Sequence, residues 1–159
     1  MSLFESFLFS FVSTLGWSVY FNAPKRDLVY CSLTGAIGWI TCILMEDYTG
    51  NTILANFIAT FIITLFSEFL ARKLKRPAVL YIIPGIIPLV PGLSIYNTML
   101  DLIQANYIQA LERATNVAMI SGAMVMGMLI VTSVLKGFRK IKHLKKINNI
   151  KDIKDIKKK

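Results

Sequence analysis

Pro84-Gly85-Ile86-Ile87-Pro88-Leu89-Val90-Pro91-Gly92 is the stretch on which the reading of this chain turns. It holds three of the five prolines and lies inside an apolar run from Ala78 to Leu100. Each proline removes a backbone donor and collides with the carbonyl one turn back. In lipid, every unpaired backbone group costs several kcal/mol, so interrupted backbone survives at membrane depth only where protein covers it or water reaches it. The run is long enough to span, at about 34 Å if fully helical, and Pro88 falls near its centre. The expectation is a broken membrane helix with its break near the bilayer midplane, the place where many transporters hold substrate. A kink that only shapes packing is the plainer alternative.

The rest of the composition agrees with a membrane setting. Of the 159 residues, 55% are hydrophobic and 17% charged, against about 25% charged in a soluble domain. Mean hydropathy is +0.58. Between residues 28 and 71 only Glu46, Asp47 and Glu68 carry charge. The predicted architecture is all-α, a polytopic transmembrane bundle of about five spans with the fourth broken by Pro and Gly. Residues 1–135 form the transmembrane domain, and 136–159 a basic cytoplasmic tail, disordered or on the membrane surface. No cleavable signal peptide is expected, because the first basic residue is Lys25.

The spans are read as 3–21, 28–45, 52–70, 78–100 and 114–135. Glu46 to Asn51 is an exit loop and 102–113 a polar interfacial connection. Ser32, Gly35, Ala36 and Gly38 give the second helix a small-residue face, and Ala118/Gly122 and Ala123/Gly127 are small-xxx-small pairs in the fifth. Cys31 and Cys42 are apolar fillers, too far apart on one helix to bridge. In the tail, isoleucine and leucine recur every third residue, a stripe that drifts around a helix axis.

Charge sets the predicted orientation. Five spans place 17 of the 18 Lys and Arg residues on one face, in the 22–27 loop, the 72–77 loop and the tail. Cytoplasmic loops carry that excess, so the N-terminus is expected outside and the C-terminus inside the cell's inner membrane. A four-span arrangement is the alternative. Tail lysines would hold anionic lipid; nucleic acid is not expected as a partner.

The substrate-path candidates are Pro84, Gly85, Pro88, Pro91 and Gly92, with Ser94, Tyr96 and Asn97 on the following turn. Glu68 and Asp101 are the proton-coupling candidates, since intramembrane acids often relay protons; Glu68 has an i,i+4 partner in Arg72, and simple solvation is the alternative for Asp101. Asn56 and Asn116 are read as interhelical hydrogen-bonding residues. No metal site, cofactor site or enzyme constellation is recognisable, and the single histidine, His143, lies among lysines.

Ile83 to Gly92, followed by Tyr96 and Met99, resembles the small membrane subunit of the threonine/serine exporter family in its split form. Asn22-Ala23-Pro24-Lys25-Arg26 and Cys31 to Gly38 resemble the same family's second-helix region. The resemblance covers about residues 10–135. It implies export of small amino acids or dicarboxylates such as succinate, driven by the proton gradient, by a pair of subunits of which this is the smaller. Self-association is compatible with it, and no catalytic residues carry over. The rival expectation is a membrane scaffold that assembles a larger transporter subunit without touching substrate.

Overall fold

The computed structural model describes residues 3–156, with side chains through Gly137. Six α-helices follow one another: α1 (Leu3–Tyr20), α2 (Leu28–Thr49), α3 (Thr52–Leu74), α4 (Val79–Ile86), α5 (Gly92–Ile103) and α6 (Tyr107–Ile156). A 3-10 turn (Ile87–Leu89) joins α4 towards α5. Among the described residues three helices are long and apolar enough to cross a membrane, α2, α3 and residues 107–137 of α6; α4 with its 3-10 turn and α5 form a fourth only as one bent span. α1, at 18 residues, is shortened in apolar content by its serines.

The bundle is apolar outside, and its interior holds stripes of hydroxyls beside apolar clusters such as Ala55, Ala59, Ile63 and Met124. Ser6, Ser10, Thr14 and Ser18 form the buried stripe of α1. On α3, Asn56, Thr60, Thr64 and Glu68 are buried on one four-residue repeat. Residues four apart stack on one helix face, so each stripe faces its neighbours while Phe, Leu and Val cover the outside. Most of these hydroxyls donate to their own helix: Thr14 Oγ1 to the Ser10 carbonyl at 2.8 Å, Ser18 Oγ to Thr14 at 2.7 Å, Thr60 Oγ1 to Asn56 at 2.7 Å and Thr64 Oγ1 to Thr60 at 2.8 Å. In lipid this satisfies each of these donors within its own helix, with no partner needed on a neighbouring one.

Glycines bring the helices together. A Cβ on Gly35 would fall onto the Thr14 side chain, and one on Gly38 onto Ile63. A Cβ on Gly127 would sit 2.7 Å from the Phe57 carbonyl oxygen, so α3 and α6 approach backbone to backbone there. The Ala123/Gly127 pair thus seats α6, whereas a Cβ on Gly122 would meet open space.

Several expected boundaries are corrected. Glu46 to Thr49, read as loop, are the last turn of α2, which ends at left-handed Gly50 (φ 63°). The turn is closed by Thr52 Oγ1 donating to Glu46 Oε1 at 2.7 Å, and Asn51 caps α3 by accepting from the Ile53 and Leu54 amides. Arg72 and Lys73 are still helical, at the C-terminal end where cations complement the helix dipole. The interfacial connection expected at 102–113 is a three-residue turn: α5 runs to Ile103, Ala105 adopts a left-handed conformation (φ 60°), and α6 begins at Tyr107. Residues 107–113 are its first two turns, and Ala110 among them is buried. From there α6 runs on as helical backbone through Ile156, about 75 Å at 1.5 Å per residue. The tail's side chains beyond Gly137, His143 included, lie outside the described residues.

Candidate functional site

The expected break is present. Three residues cannot propagate a helix together here: Pro88 and Pro91 lack donors, and Val90 is extended (φ −60°, ψ 128°). The Val90 amide donates to the Ile87 carbonyl at 3.1 Å and Gly92 to Val90 at 2.7 Å, short bonds in place of helical ones. The chain bends by 51° between the two halves.

The halves then part company. α4 packs into the bundle against α2 and α3, and α5 leans chiefly on α6. Pro84 and Gly85 are buried; a Cβ on Gly85 would lie 3.2 Å from Ile63 and 3.6 Å from Thr34. Pro88 is half-buried and opens on a groove of about 410 Å³ lined also by Ser6, Phe9, Ser10, Ser13, Trp39 and Ile43. The polar side chains in that lining are serine hydroxyls and the Trp39 indole, so the groove offers hydrogen bonds without formal charge. Ser10 Oγ also donates across to the Gly35 carbonyl at 3.3 Å.

The remaining candidates lie on the α5 side. Pro91, Ser94 and Asn97 are half-buried, Gly92 is exposed, and Tyr96 is 63% exposed on the outside of the bent span. The structure therefore brings Pro88, and not Ser94, Tyr96 or Asn97, together with the α1 serines. Those serines are the lining that residue-by-residue inspection passes over. Ser6 and Ser10 begin a Ser6-x₃-Ser10-x₃-Thr14-x₃-Ser18 repeat, which was the available signal, and Ser13 lies outside it.

Among the described residues three acids are buried near helix ends, each beside an arginine. Glu68 Oε2 lies 3.9 Å from Arg72 Nε on the same helix. Asp101 Oδ2 lies 3.2 Å from Arg113 Nε, joining α5 to α6, so Asp101 is buried and paired instead of solvated. Asp27, which no sequence motif marks, lies 3.5 Å from Arg76 Nε and links the start of α2 to the α3–α4 connection. Glu68, Arg72, Lys75 and Arg76 line a cleft of about 570 Å³ at this basic end. At the far end Gln109, Glu112, Arg113 and Asn116 line one of about 450 Å³. Asn56 is buried, its Nδ2 donating to the Thr52 carbonyl at 2.8 Å, whereas Asn116 is exposed. Both cysteines are free and buried. No group of His, Cys, Asp and Glu suited to a metal occurs among the described residues.

Hydroxyl stripes within, apolar side chains without and an interrupted span define a multi-pass membrane protein. The chain belongs to the threonine/serine exporter family ThrE, whose family model matches residues 6–134. It is thus a member of a transporter family, of the threonine/serine exporter type. An uncharacterized protein of Haemophilus influenzae is 26% identical over 136 residues, which cover 80% of this chain and 46% of that protein. The chain therefore spans about half the length of that relative. No solved structure matches it.

Proposed function

We propose that this chain is the smaller subunit of a two-component secondary exporter for threonine/serine-like amino acids or small dicarboxylates, driven by protons. The groove at Pro88 carries the reading: an interrupted span meets three serine hydroxyls of α1 and the indole of Trp39. Uncharged donors and acceptors there suit a small polar substrate that must be released as readily as it is bound. The larger subunit would supply what the other half of the Haemophilus relative contains, and would complete the groove. The basic ends of α1 and α3 and the tail face the cytoplasm in this reading, with the N-terminus outside. Anionic lipid there meets the tail lysines.

The test is efflux of labelled threonine, serine and succinate from cells carrying this gene alone, the partner alone, and both. Efflux of one or more labels that requires both genes is the expected result. Efflux from the partner alone at the same rate would leave this chain without a transport role. The scaffold alternative predicts unchanged substrate preference after Ser6, Ser10 or Ser13 is replaced.

A further inference from the structure

The basic end of α3 borders two hollows that the serine groove does not use, and one residue belongs to both. The first is an apolar groove of about 400 Å³ between α3 and α6, lined by Leu65, Phe66, Phe69, Arg72 and Leu135. The second is the cleft of about 570 Å³ where Arg72 is joined by Lys75 and Arg76 and by the start of the α3–α4 connection. Arg72 stands at the border between them. Leu65, Phe69 and Arg72 follow one another on a single face of α3, over about 10 Å of its axis. Farther along the same helix pair, Gly127 lets α6 press against the α3 backbone. Towards the basic end the lining residues are Phe66, Phe69 and Leu135, too bulky for that approach, and a hollow remains between the helices.

The cations at this end are only partly used within the bundle. Arg72 meets Glu68 at 3.9 Å and Arg76 meets Asp27 at 3.5 Å, and both arginine side chains are about half exposed. Lys75 is exposed and pairs with no acid among the described residues. Its backbone makes its presence more telling. Lys75 ends α3 in the left-handed conformation (φ 54°), a position that ordinarily falls to glycine because a Cβ is strained there. The dipole at the C-terminus of α3 is already served by Arg72 and Lys73 in the last turn. A lysine in a glycine position therefore contributes its charge to the cleft. The acid in that lining is Glu68, and three cations stand against it.

We propose that groove and cleft form one site for an anionic phospholipid, with its phosphate on Arg72 and Lys75 and an acyl chain over Phe66, Phe69 and Leu135. Charge selects the headgroup, since a zwitterionic lipid would bring its own ammonium to a cleft with three cations. The apolar groove selects a lipid, since a free phosphate ester would leave it unfilled. Basic pockets between membrane helices hold headgroups of this kind. The bound lipid ties the end of α3 to α6 and to the connection that enters α4. It is distinct from lipid attracted to the tail lysines, which have surface charge to offer and no part in this groove. The inference needs the chain to lie in a membrane and does not depend on what it exports.

The experiment uses the full chain purified in detergent, with dioleoyl phosphatidylglycerol or dioleoyl phosphatidylcholine added, and native mass spectrometry to count the lipid retained. A single phosphatidylglycerol should persist at concentrations where phosphatidylcholine is lost. Arg72→Gln and Lys75→Gly should each weaken its retention about tenfold. Leu135→Trp, which fills the groove without changing charge, should do the same. Lys145→Gln combined with Lys146→Gln in the tail should leave retention unchanged. Equal retention of the two lipids by the wild-type chain would overturn the proposal. So would a tail variant that loses the lipid as fully as Arg72→Gln does. Displacement of the lipid by glycerol 3-phosphate would also overturn it, assigning the cleft to a free phosphate ester. Where Arg72→Gln or Leu135→Trp does not fold, Lys75→Gly decides, because glycine suits the left-handed position better than lysine. Loss of the lipid from that variant, with heat stability in phosphatidylcholine at least equal to wild type, supports the site; undiminished retention overturns it.

Discussion

The two halves of the broken span live in different surroundings. α4 is wedged among α1, α2 and α3, with Tyr81, Pro84 and Gly85 buried. α5 is covered chiefly by α6, and Leu93, Tyr96, Met99 and Ile103 are each more than half exposed. Both halves are apolar, so hydropathy alone does not separate them. What separates them is residue size against a neighbour: Gly85 lets α4 settle against Ile63 of α3 and Thr34 of α2, whereas a Cβ on Gly92 would meet open space. The lesson is that one hydrophobic segment can hold a fixed half and a half seated on a single neighbour, with prolines marking the join.

That contrast can be broken most severely at the join. Replacing Pro88 and Pro91 together with alanine restores the missing donors and lets the helix straighten. Export should be abolished while the protein still reaches the membrane, as labelled-threonine efflux and membrane immunoblotting would show; unchanged export would separate the break from transport.

Bulk on the buried half should come next. Gly85→Leu forces a side chain against Ile63 and Thr34, and overpacking of this kind costs about 1–3 kcal/mol. Gly92→Leu faces open space and should stay within about 0.5 kcal/mol of wild type. Thermal stability of the two variants in detergent tests the difference, and equal losses would erase the distinction between the halves.

A smaller effect is expected where α5 is held to α6. Asp101→Asn removes the charge facing Arg113, which is itself about half exposed, so the loss should not exceed about 1 kcal/mol. Thiol labelling of a cysteine placed at Leu102 should accelerate if the pair holds α5 down. The smallest effect belongs to Ser10→Ala, which gives up one 3.3 Å bond to the Gly35 carbonyl. Its stability cost should be near the average membrane hydrogen bond, about 0.6 kcal/mol, while its effect on substrate preference should exceed that of Ser94→Ala if the groove is the path.

Much of this architecture was legible in the residues. The helical class, the separate segments and the interruption at Pro88 to Gly92 followed from hydropathy and proline chemistry. Helix ends were less legible, because hydropathy reports where lipid stops and not where helical hydrogen bonds stop. Glu46 to Thr49 and Tyr107 to Arg113 are polar yet helical for that reason. The site was only partly readable. Pro88 could be picked from sequence, but its partners on α1 come from a helix whose serines read as a loss of apolar character instead of an inward face. Asp27 escaped notice because its partner, Arg76, is about fifty residues away and meets it only after α4 is seated.

The central claim, that the interruption at Ile87 to Gly92 meets water through the serine-lined groove, has a direct measurement. With Cys31 and Cys42 replaced by alanine, single cysteines at positions 79–103 are treated with a membrane-impermeant thiol reagent in the presence of the partner subunit. Labelling at Pro88, with protection at neighbouring Leu89, which is 4% exposed, is the predicted result. A segment that stays unlabelled from 84 to 92 would contradict it.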